Sequence, residues 1–412
     1  MSKHKILVID RGLNLHLARK IGESEAKVWY CMEDKSPFPE SPKIQIGRNL
    51  EEVERVISPW EYIDKADAIY FFDTYDGKFQ KWLSDNDYRV FGCGLSEKIE
   101  LDRVFFYETL SKLGMPVTGT YIAEGLDDLC GYLKGKTDKW LKTSYHRGDF
   151  ETHHYTNMRQ LGPWIDDLRC RLGSRADKIE VLVQNPIKTE CEAGWDGFCV
   201  DGKFNQNGLV GYEVKDRGYI CKVVKDPPKI LKDVNDKMGP VLKSLGMKGH
   251  WSTEVRITDS GKAYFTDPTT RAPSPPSELM CEMYEDYAGI IWDISGDVMP
   301  TPKVKAPYGA ELILKSGWHA KHELIVEFPE SISPFVKLKN ATKVGSAYSC
   351  IPNENEGYFG AVIAYGNSME EAIKTCMDRA EMIEADELKI DDEIFSEASC
   401  TVAAGKKFGI NV

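Results

Sequence analysis

Two acids at the ends of a strand–turn–strand segment constrain this chain more than any other feature. From Glu254 to Asp267 the residues read Glu-Val-Arg-Ile-Thr, then Asp259-Ser-Gly261, then Lys-Ala-Tyr-Phe-Thr-Asp. The turn lets the two strands pair antiparallel, and that pairing carries Glu254 and Asp267 to the same end of the hairpin. Carboxylates side by side repel unless a cation lies between them. Hard oxygen donors of this kind suit Mg²⁺, usually shared with the phosphates of a nucleotide. Arg271, four residues on, can then reach a transferring phosphoryl group. The alternative is a surface hairpin with ordinary charges, and the segment alone does not choose between the two.

The surrounding chain is long enough for several cores. At roughly 150 residues per domain, 412 residues imply two to three domains. Lys5-Ile-Leu-Val-Ile-Asp10 has the pattern of a buried parallel strand, and Asp67–Asp73 and Tyr88–Cys93 read as later strands of the same sheet. The mixed segment Leu50–Ser58 reads as helical, completing a strand–helix alternation over about 95 residues. Asp10-Arg-Gly12, rather than a G-x-G-x-x-G turn, follows the first strand, so a dinucleotide-binding dehydrogenase loses its main support. Phe106, Leu110 and Leu113 keep helical spacing, with Asp102 as cap and Gly114 and Pro116 as stop. Strand-like pieces follow at Trp140–Thr143 and Glu180–Gln184, and 188–265 continues as short strands broken by Gly-containing turns. Ala272-Pro-Ser-Pro-Pro276 must be a non-helical bend. A second proline-rich stretch, 300–307, reads as a domain boundary before strands at 308–315 and 322–328. Ser368-Met-Glu-Glu371 is a capping box opening a helix with Met369, Ile373, Cys376, Ala380 and Ile383 on one face.

Charge and cysteine usage narrow the partners. Fifty-three basic against 65 acidic residues give a net charge of -12, which disfavours duplex nucleic acid or anionic membrane as main partner. None of the 11 cysteines forms C-x-x-C or has a histidine within four residues, so a zinc site of local spacing is disfavoured and reduced thiols are expected. The apolar run Ile6–Ile9 is too short for a signal-peptide core, and no run approaches a membrane helix; a soluble cytoplasmic protein is the expectation.

Taken in series, these segments resemble the ATP-grasp superfamily. The metal-binding hairpin of that family has an acid, then E-x-N, then a catalytic arginine; Glu254, Asp267, Thr269 and Arg271 match those places, with Thr269 standing where asparagine is usual. Asp102-Arg103 through Gly114-Met-Pro116 resembles the helix that leads into the ATP lid, with Arg103 replacing the usual phosphate-binding lysine. Lys142 matches a lid-strand lysine that contacts ATP phosphates. The loop after it, Ser144–Thr152, holds a single glycine, Gly148, where the family is glycine-rich; His146 and Arg147 can supply charge instead. Val181–Ile187 resembles the hinge whose backbone meets adenine, which assigns Gln184, Asn185 and Ile187 to the base, while Glu190 or Glu192 would meet the ribose, with Glu190 favoured as the first acid after the hinge. Lys215, in Glu213-Val-Lys-Asp-Arg217, falls where relatives place another phosphate contact, and a charged turn explains it equally well. Gly360–Ala372 and His16 resemble the phosphoribosylamine–glycine ligases (glycinamide ribonucleotide synthetase-like enzymes) in particular. The paired N-terminal glycines of that family are missing, and Ala-Pro-Ser-Pro-Pro replaces its Gly- and acid-rich segment.

The resemblance implies an α/β and α+β chain with an ATP-grasp fold: a Rossmann-like pre-ATP-grasp domain at 1–100, an ATP-grasp domain at 101–300 with its lid at about 118–187, and a small C-terminal α+β domain at 301–412. It implies an ADP-forming carboxylate–amine ligase acting through an acyl phosphate, with ATP and Mg²⁺, or Mn²⁺ in its place. Arg271 and Lys142 would be catalytic, Arg103 and Arg147 would hold phosphates, and Glu254, Asp267 and Thr269 would face the metal. Expected partners are a small carboxylate and a small amine, the chain being a monomer or homodimer. Thr269 and the glycine-poor loop keep open a nucleotide-binding protein without turnover, and phosphoryl transfer without ligation stays open as well.

Overall fold

The structure, a computed structural model, describes residues 4–24, 26–32, 42–74, 76–144, 152–352, 357–391 and 393–412. Its contacts divide the chain into two compact units. The first holds Met1–Ser96, Ala193–Thr253 and Thr269–Val412; the second holds Glu97–Glu192 and Glu254–Pro268.

In the first unit the N-terminal strands make a parallel sheet in the order Glu54–Val56, Lys27–Met32, Lys5–Asp10, Ala68–Phe71, Val90–Phe91. Leu7, Trp29, Cys31, Val56, Ile69, Phe71 and Val90 close one core with Ile63 and Leu83. The loop after the first strand folds back on a buried acid: Asp10 accepts hydrogen bonds from the Gly12 and Asn14 amides, the Asn14 side chain and the Tyr30 hydroxyl. Amides that a dinucleotide loop would offer to phosphate are thereby engaged within the protein.

One expectation fails in this region. Leu50–Ser58 is not helical, because Glu54–Val56 pairs in parallel with Trp29–Cys31. The edge of the Lys27–Met32 strand needs a ladder partner, and the β-branched residues Val53 and Val56 bury there.

The rest of the first unit is built on an antiparallel sheet ordered Lys248–Ile257, Cys191–Val200, Gly208–Val214, Gly218–Val224, Tyr308–Ser316, Tyr358–Gly366, Val336–Leu338, whose first two strands cross the unit boundary. The capping box behaves as expected: Ser368 Oγ accepts the Glu371 N–H at 3.1 Å, and the Glu371 carboxylate accepts the Asn367 N–H at 2.7 Å. The helix it opens, Met369–Ala380, buries Ala372, Cys376 and Ala380. The stretch 188–265 is not made of strands alone, since Lys229–Ser244 is a helix burying Leu231, Val234, Met238 and Leu242.

In the second unit four antiparallel strands run in the order Thr120–Glu124, Glu180–Gln184, Lys139–Thr143, Thr152–Tyr155. Alternation gives the sheet two faces. Ala123, Leu141, Val181 and Val183 point to helices Leu126–Leu133 and Met158–Leu172 and bury with Leu129, Leu161, Ile165 and Leu168. The intervening residues Lys142, Leu182 and Gln184 therefore face the other way, and a pocket lies on that side.

Candidate active site

One wall of that pocket is the helix Arg103–Lys112. The Asp102 carboxylate accepts the Phe105 N–H at 2.9 Å and fixes where the helix begins. Arg103, Phe106, Tyr107 and Leu110, spaced i, i+3, i+4 and i+7, line the cavity. The hairpin supplies Tyr264, Phe265 and Thr266, and Phe106 meets Phe265 edge to face at 5.1 Å. Pro116–Thr118 and Ile187 complete the lining. The cavity is thus an apolar, partly aromatic slot with cationic side chains at its edge. Two of the lining residues, Thr118 and Thr266, carry hydroxyls that are fully buried and have no hydrogen-bond partner among the described residues. A buried hydroxyl without a partner costs about 1–3 kcal/mol, so a ligand with polar edges on a flat apolar body fits this slot.

Charge is concentrated beside it. Arg103 Nη1 lies 3.3 Å from Asp267 Oδ1, and Arg256 Nε lies 2.9 Å from Glu192 Oε1. The Lys142 ammonium is pushed below its usual range by desolvation first; Asp267 and Glu254 oppose the shift, whereas Arg103 and Arg256 add to it. Three cations thus crowd against two hairpin carboxylates and Glu192. Three cations against three carboxylates make this cluster charge-balanced, an arrangement of paired charges rather than a net positive patch.

The second unit brings together Arg103, Lys142, Gln184, Ile187, Glu254 and Asp267. Asn185 and Glu190 lie outside the slot lining and are exposed: the Asn185 side chain accepts from Lys139 at 2.9 Å, and the Glu190 amide donates to Ile257 O at 2.8 Å. Glu192, half-buried, is held by Arg256. Arg147 falls outside the described residues, as does most of the loop around it.

Thr269, Arg271, Lys215 and His16 belong to the first unit. Arg271 Nε stands 3.8 Å from Asp73 Oδ1, and the Ala272 amide donates to Phe72 O at 2.8 Å, which anchors this segment on the end of the parallel sheet. Lys215 is exposed in the turn between Gly208–Val214 and Gly218–Val224. His16 is buried 3.4 Å from Ser277 Oγ, and burial lowers its pKa to about 3, so it is neutral at pH 7.

Among the described residues, no group of three His, Cys, Asp or Glu side chains converges as a metal centre. The donor set near Lys142 is the pair Glu254 and Asp267. Two carboxylates fit Mg²⁺ whose other ligands are phosphate oxygens and water, because that ion rarely takes an all-protein cage.

Sequence reasoning passed over Arg256 and Asp73. Arg256 was readable, since it stands two residues after Glu254 in an extended strand and so shares its side of the sheet. Asp73 carried no local signal toward Arg271.

Solved structures share this architecture. The phosphoribosylamine–glycine ligase of Thermotoga maritima superposes with a TM-score of 0.70 at 14% identity, covering 93% of this chain and 98% of that one. The biotin carboxylase domain of the Hydrogenobacter thermophilus 2-oxoglutarate carboxylase, solved with MgADP and bicarbonate, gives 0.69 at 13% identity over 99% and 98% of the two chains. The Staphylococcus aureus N5-carboxyaminoimidazole synthetase complexed with ADP gives 0.62 at 11% identity over 92% and 97%. These are ATP-grasp enzymes, and this chain has their fold, as its motifs implied. No protein-family profile and no curated protein sequence matches the chain. No helix among the described residues is long and apolar enough to cross a membrane.

Proposed function

We propose that the protein is an ADP-forming carboxylate–amine ligase. The observation that carries this reading is the slot of the second unit: an apolar cavity lined by Lys142 and Arg103, with the Glu254 and Asp267 carboxylates acting on Lys142, and with two lining threonines whose buried hydroxyls have no partner among the described residues. An adenine fits the apolar part, with Gln184 and Ile187 at its edge, and the triphosphate extends toward Lys142 and Arg103. The ATP-grasp fold supports the same placement.

In the reaction, a carboxylate oxygen attacks the γ-phosphorus and the bond to the β,γ-bridging oxygen breaks, giving an acyl phosphate and ADP. An amine nitrogen then attacks the acyl carbon, loses a proton, and phosphate departs. Lys142 and Arg103 hold phosphate oxygens and offset their charge, and Arg271 supports the oxyanion that develops. Glu254 and Asp267 would hold Mg²⁺, which supplies charge neutralisation at the phosphates. The working division of the chain is 1–100, 101–300 and 301–412, with the sheet of Thr120–Gln184 as the lid.

The test is ADP release on pooled small carboxylates with hydroxylamine as acceptor, read by mass spectrometry for hydroxamates. Carboxylate-dependent ADP and a hydroxamate are expected. Tight ATP binding with no ADP from any pool would overturn the ligase in favour of a nucleotide-binding protein without turnover, the reading that Thr269 at the usual asparagine place favours. A phosphorylated product with no hydroxamate would indicate phosphoryl transfer alone.

A further inference from the structure

One face of the antiparallel sheet in the first unit carries a row of acids that its lysines do not balance. In the strand register Glu213 stands opposite Tyr219, and Tyr219 stands opposite Glu311. Residues directly opposed in an antiparallel ladder project to the same side, so the three share a face. The Tyr219 hydroxyl donates to Asp196 Oδ2 at 2.6 Å. Glu278, fully buried on the helix Ser277–Met283, repels Glu311. The lysines that offset these acids are Lys339 and Lys215. Lys339 Nζ is engaged, 3.4 Å from Glu278 Oε1 and 2.8 Å from Ser274 Oγ. Lys215 lies in the exposed turn beyond Glu213.

Glu311 shows that the row is incomplete. It is fully buried, and neither of its carboxylate oxygens has a hydrogen-bond partner among the described residues. The groups that favour its charge are committed elsewhere: Lys339 to Glu278 and Ser274, and the Leu279 amide to Pro276 O at 3.0 Å. Protonation does not repair this, because the acid proton would have no acceptor. Glu213 is different. It is exposed although protein atoms surround it, and Tyr358 is half-buried in the same manner, so both stand in a cleft and not in the core. The Tyr358 hydroxyl lies 3.0 Å from Ser274 Oγ, and Glu278, Glu311 and Glu213 all act on it. The acids therefore gather around one cleft. Desolvation first, with repulsion from Asp216 and Asp196 added and the Asp216 amide and Lys215 opposing, raises the Glu213 carboxyl to about 7.

A cation is what such a cleft lacks, and its form is constrained. Neighbouring strands lie about 4.8 Å apart, so Glu213 and Glu311, two strands apart, are about 10 Å apart at the backbone. Among the described residues no three acids converge as a metal centre. An extended molecule with ammonium groups suits the row better than one compact ion does. The nitrogen that attacks an acyl phosphate must be uncharged, so an ammonium held here belongs to a second nitrogen of the same substrate.

We infer that this cleft is a subsite for an amine substrate carrying a second, protonated nitrogen, a diamine or a basic amino acid, with Glu213 at its mouth and Glu311 within. The inference rests on the ligase reading for the role of the amine, but its test does not depend on turnover.

Calorimetric titration of the full chain, with and without ADP, compares diaminobutane and lysine with butylamine and glycine, and circular dichroism is the fold control. The doubly basic ligands are expected to bind at least about tenfold more tightly than the others. Glu213→Gln and Glu311→Gln should each weaken them about tenfold or more, while Asp236→Asn, on the exposed side of helix Lys229–Ser244, should not. Equal affinity for singly and doubly basic amines overturns the inference. So does tight binding that Glu213→Gln leaves unchanged; this variant, at an exposed position, decides the matter if Glu311→Gln fails to fold. Selective binding weakened by the variants supports the subsite even if no carboxylate pool yields ADP, so the two readings fail separately.

Discussion

Thr118 and Thr266 separate a ligand slot from an imperfectly packed crevice. Both residues line the slot, and their hydroxyl oxygens are buried without a partner among the described residues. Such an atom has lost its water and gained nothing, at a cost of about 1–3 kcal/mol. Thr→Val keeps the side-chain shape and removes the hydroxyl. Each of Thr118→Val and Thr266→Val should therefore stabilise the ligand-free protein by about 1 kcal/mol. In thermal melting that is a rise of about 2–4 °C if the cooperative unit has about 150–250 residues. Binding should move the other way. If nucleotide atoms complete these hydroxyls, the variant loses the hydrogen bond and strands the ligand's own polar atom, weakening ATP about five- to a hundredfold per site. Calorimetric titration with ATP and ADP, beside melting curves, reads both quantities on one sample. Higher stability with weaker nucleotide binding is the signature of a site maintained at the expense of stability. Variants that gain stability but bind ATP as wild type does would refute the assignment of these hydroxyls to the ligand. No change in either quantity would mean that water already satisfies them.

The remaining expectations concern charge. Arg271→Ala and Asp267→Asn should each lower ADP-forming turnover at least about a hundredfold with an unchanged circular dichroism spectrum; full activity in either removes its residue from the mechanism. Lys142→Met should weaken ATP binding yet leave the free protein as stable or more stable at pH 7, because burial disfavours the ammonium. With the Lys142 pKa lowered in the folded state, the unfolded chain binds more protons between that pKa and the ordinary lysine value, so wild-type stability gains with pH in that window; the Met variant should lose that slope in denaturant titrations. His250, buried with its ring 2.9 Å from the Tyr287 hydroxyl, has its pKa lowered by burial to about 3. Between pH 6.5 and 3 the unfolded chain holds the proton that the folded one refuses, so this residue makes stability fall with acid by up to about 1.4 kcal/mol per pH unit. His250→Phe should lower stability near neutral pH but flatten that fall, and an unchanged slope would rule His250 out as its source.

What the sequence made legible was mostly local. The Asp102 cap, the 254–267 hairpin, the strands at 140–143 and 180–184 and the Ser368 box each depend on residues close in sequence, and each stands where its pattern put it. Helices Met158–Leu172 and Lys229–Ser244 were missed because each contains a Gly-Pro pair, Gly162-Pro163 and Gly239-Pro240, which reads as a break. Burial of Leu161, Ile165 and Leu168 in one, and of Leu231, Met238 and Leu242 in the other, offsets the lost amide. Glu54–Val56 was misread for a related reason: its strand state comes from the neighbour it pairs with. The ion pairs of the site were beyond any window. Arg103 and Asp267 meet across a separation of 164 residues, and nothing in either segment names the other.

The parity of two strands carries the functional argument further than the motifs do. In Leu141-Lys142-Thr143 and in Val181-Leu182-Val183-Gln184, every second residue is committed to the helix-covered core and its neighbours are committed to the slot. A one-residue slip in the first strand would send Lys142 into an apolar core and Leu141 into the slot, and one in the second would do the same to Gln184 and Val183, so register and chemistry are fixed by the same burial. The same constraint explains why a lysine is tolerated where desolvation lowers its pKa. The core face holds the strand in place and so fixes which side of the sheet Lys142 stands on. Its charge is costly in the free protein, and that cost is recovered when anionic groups enter the slot.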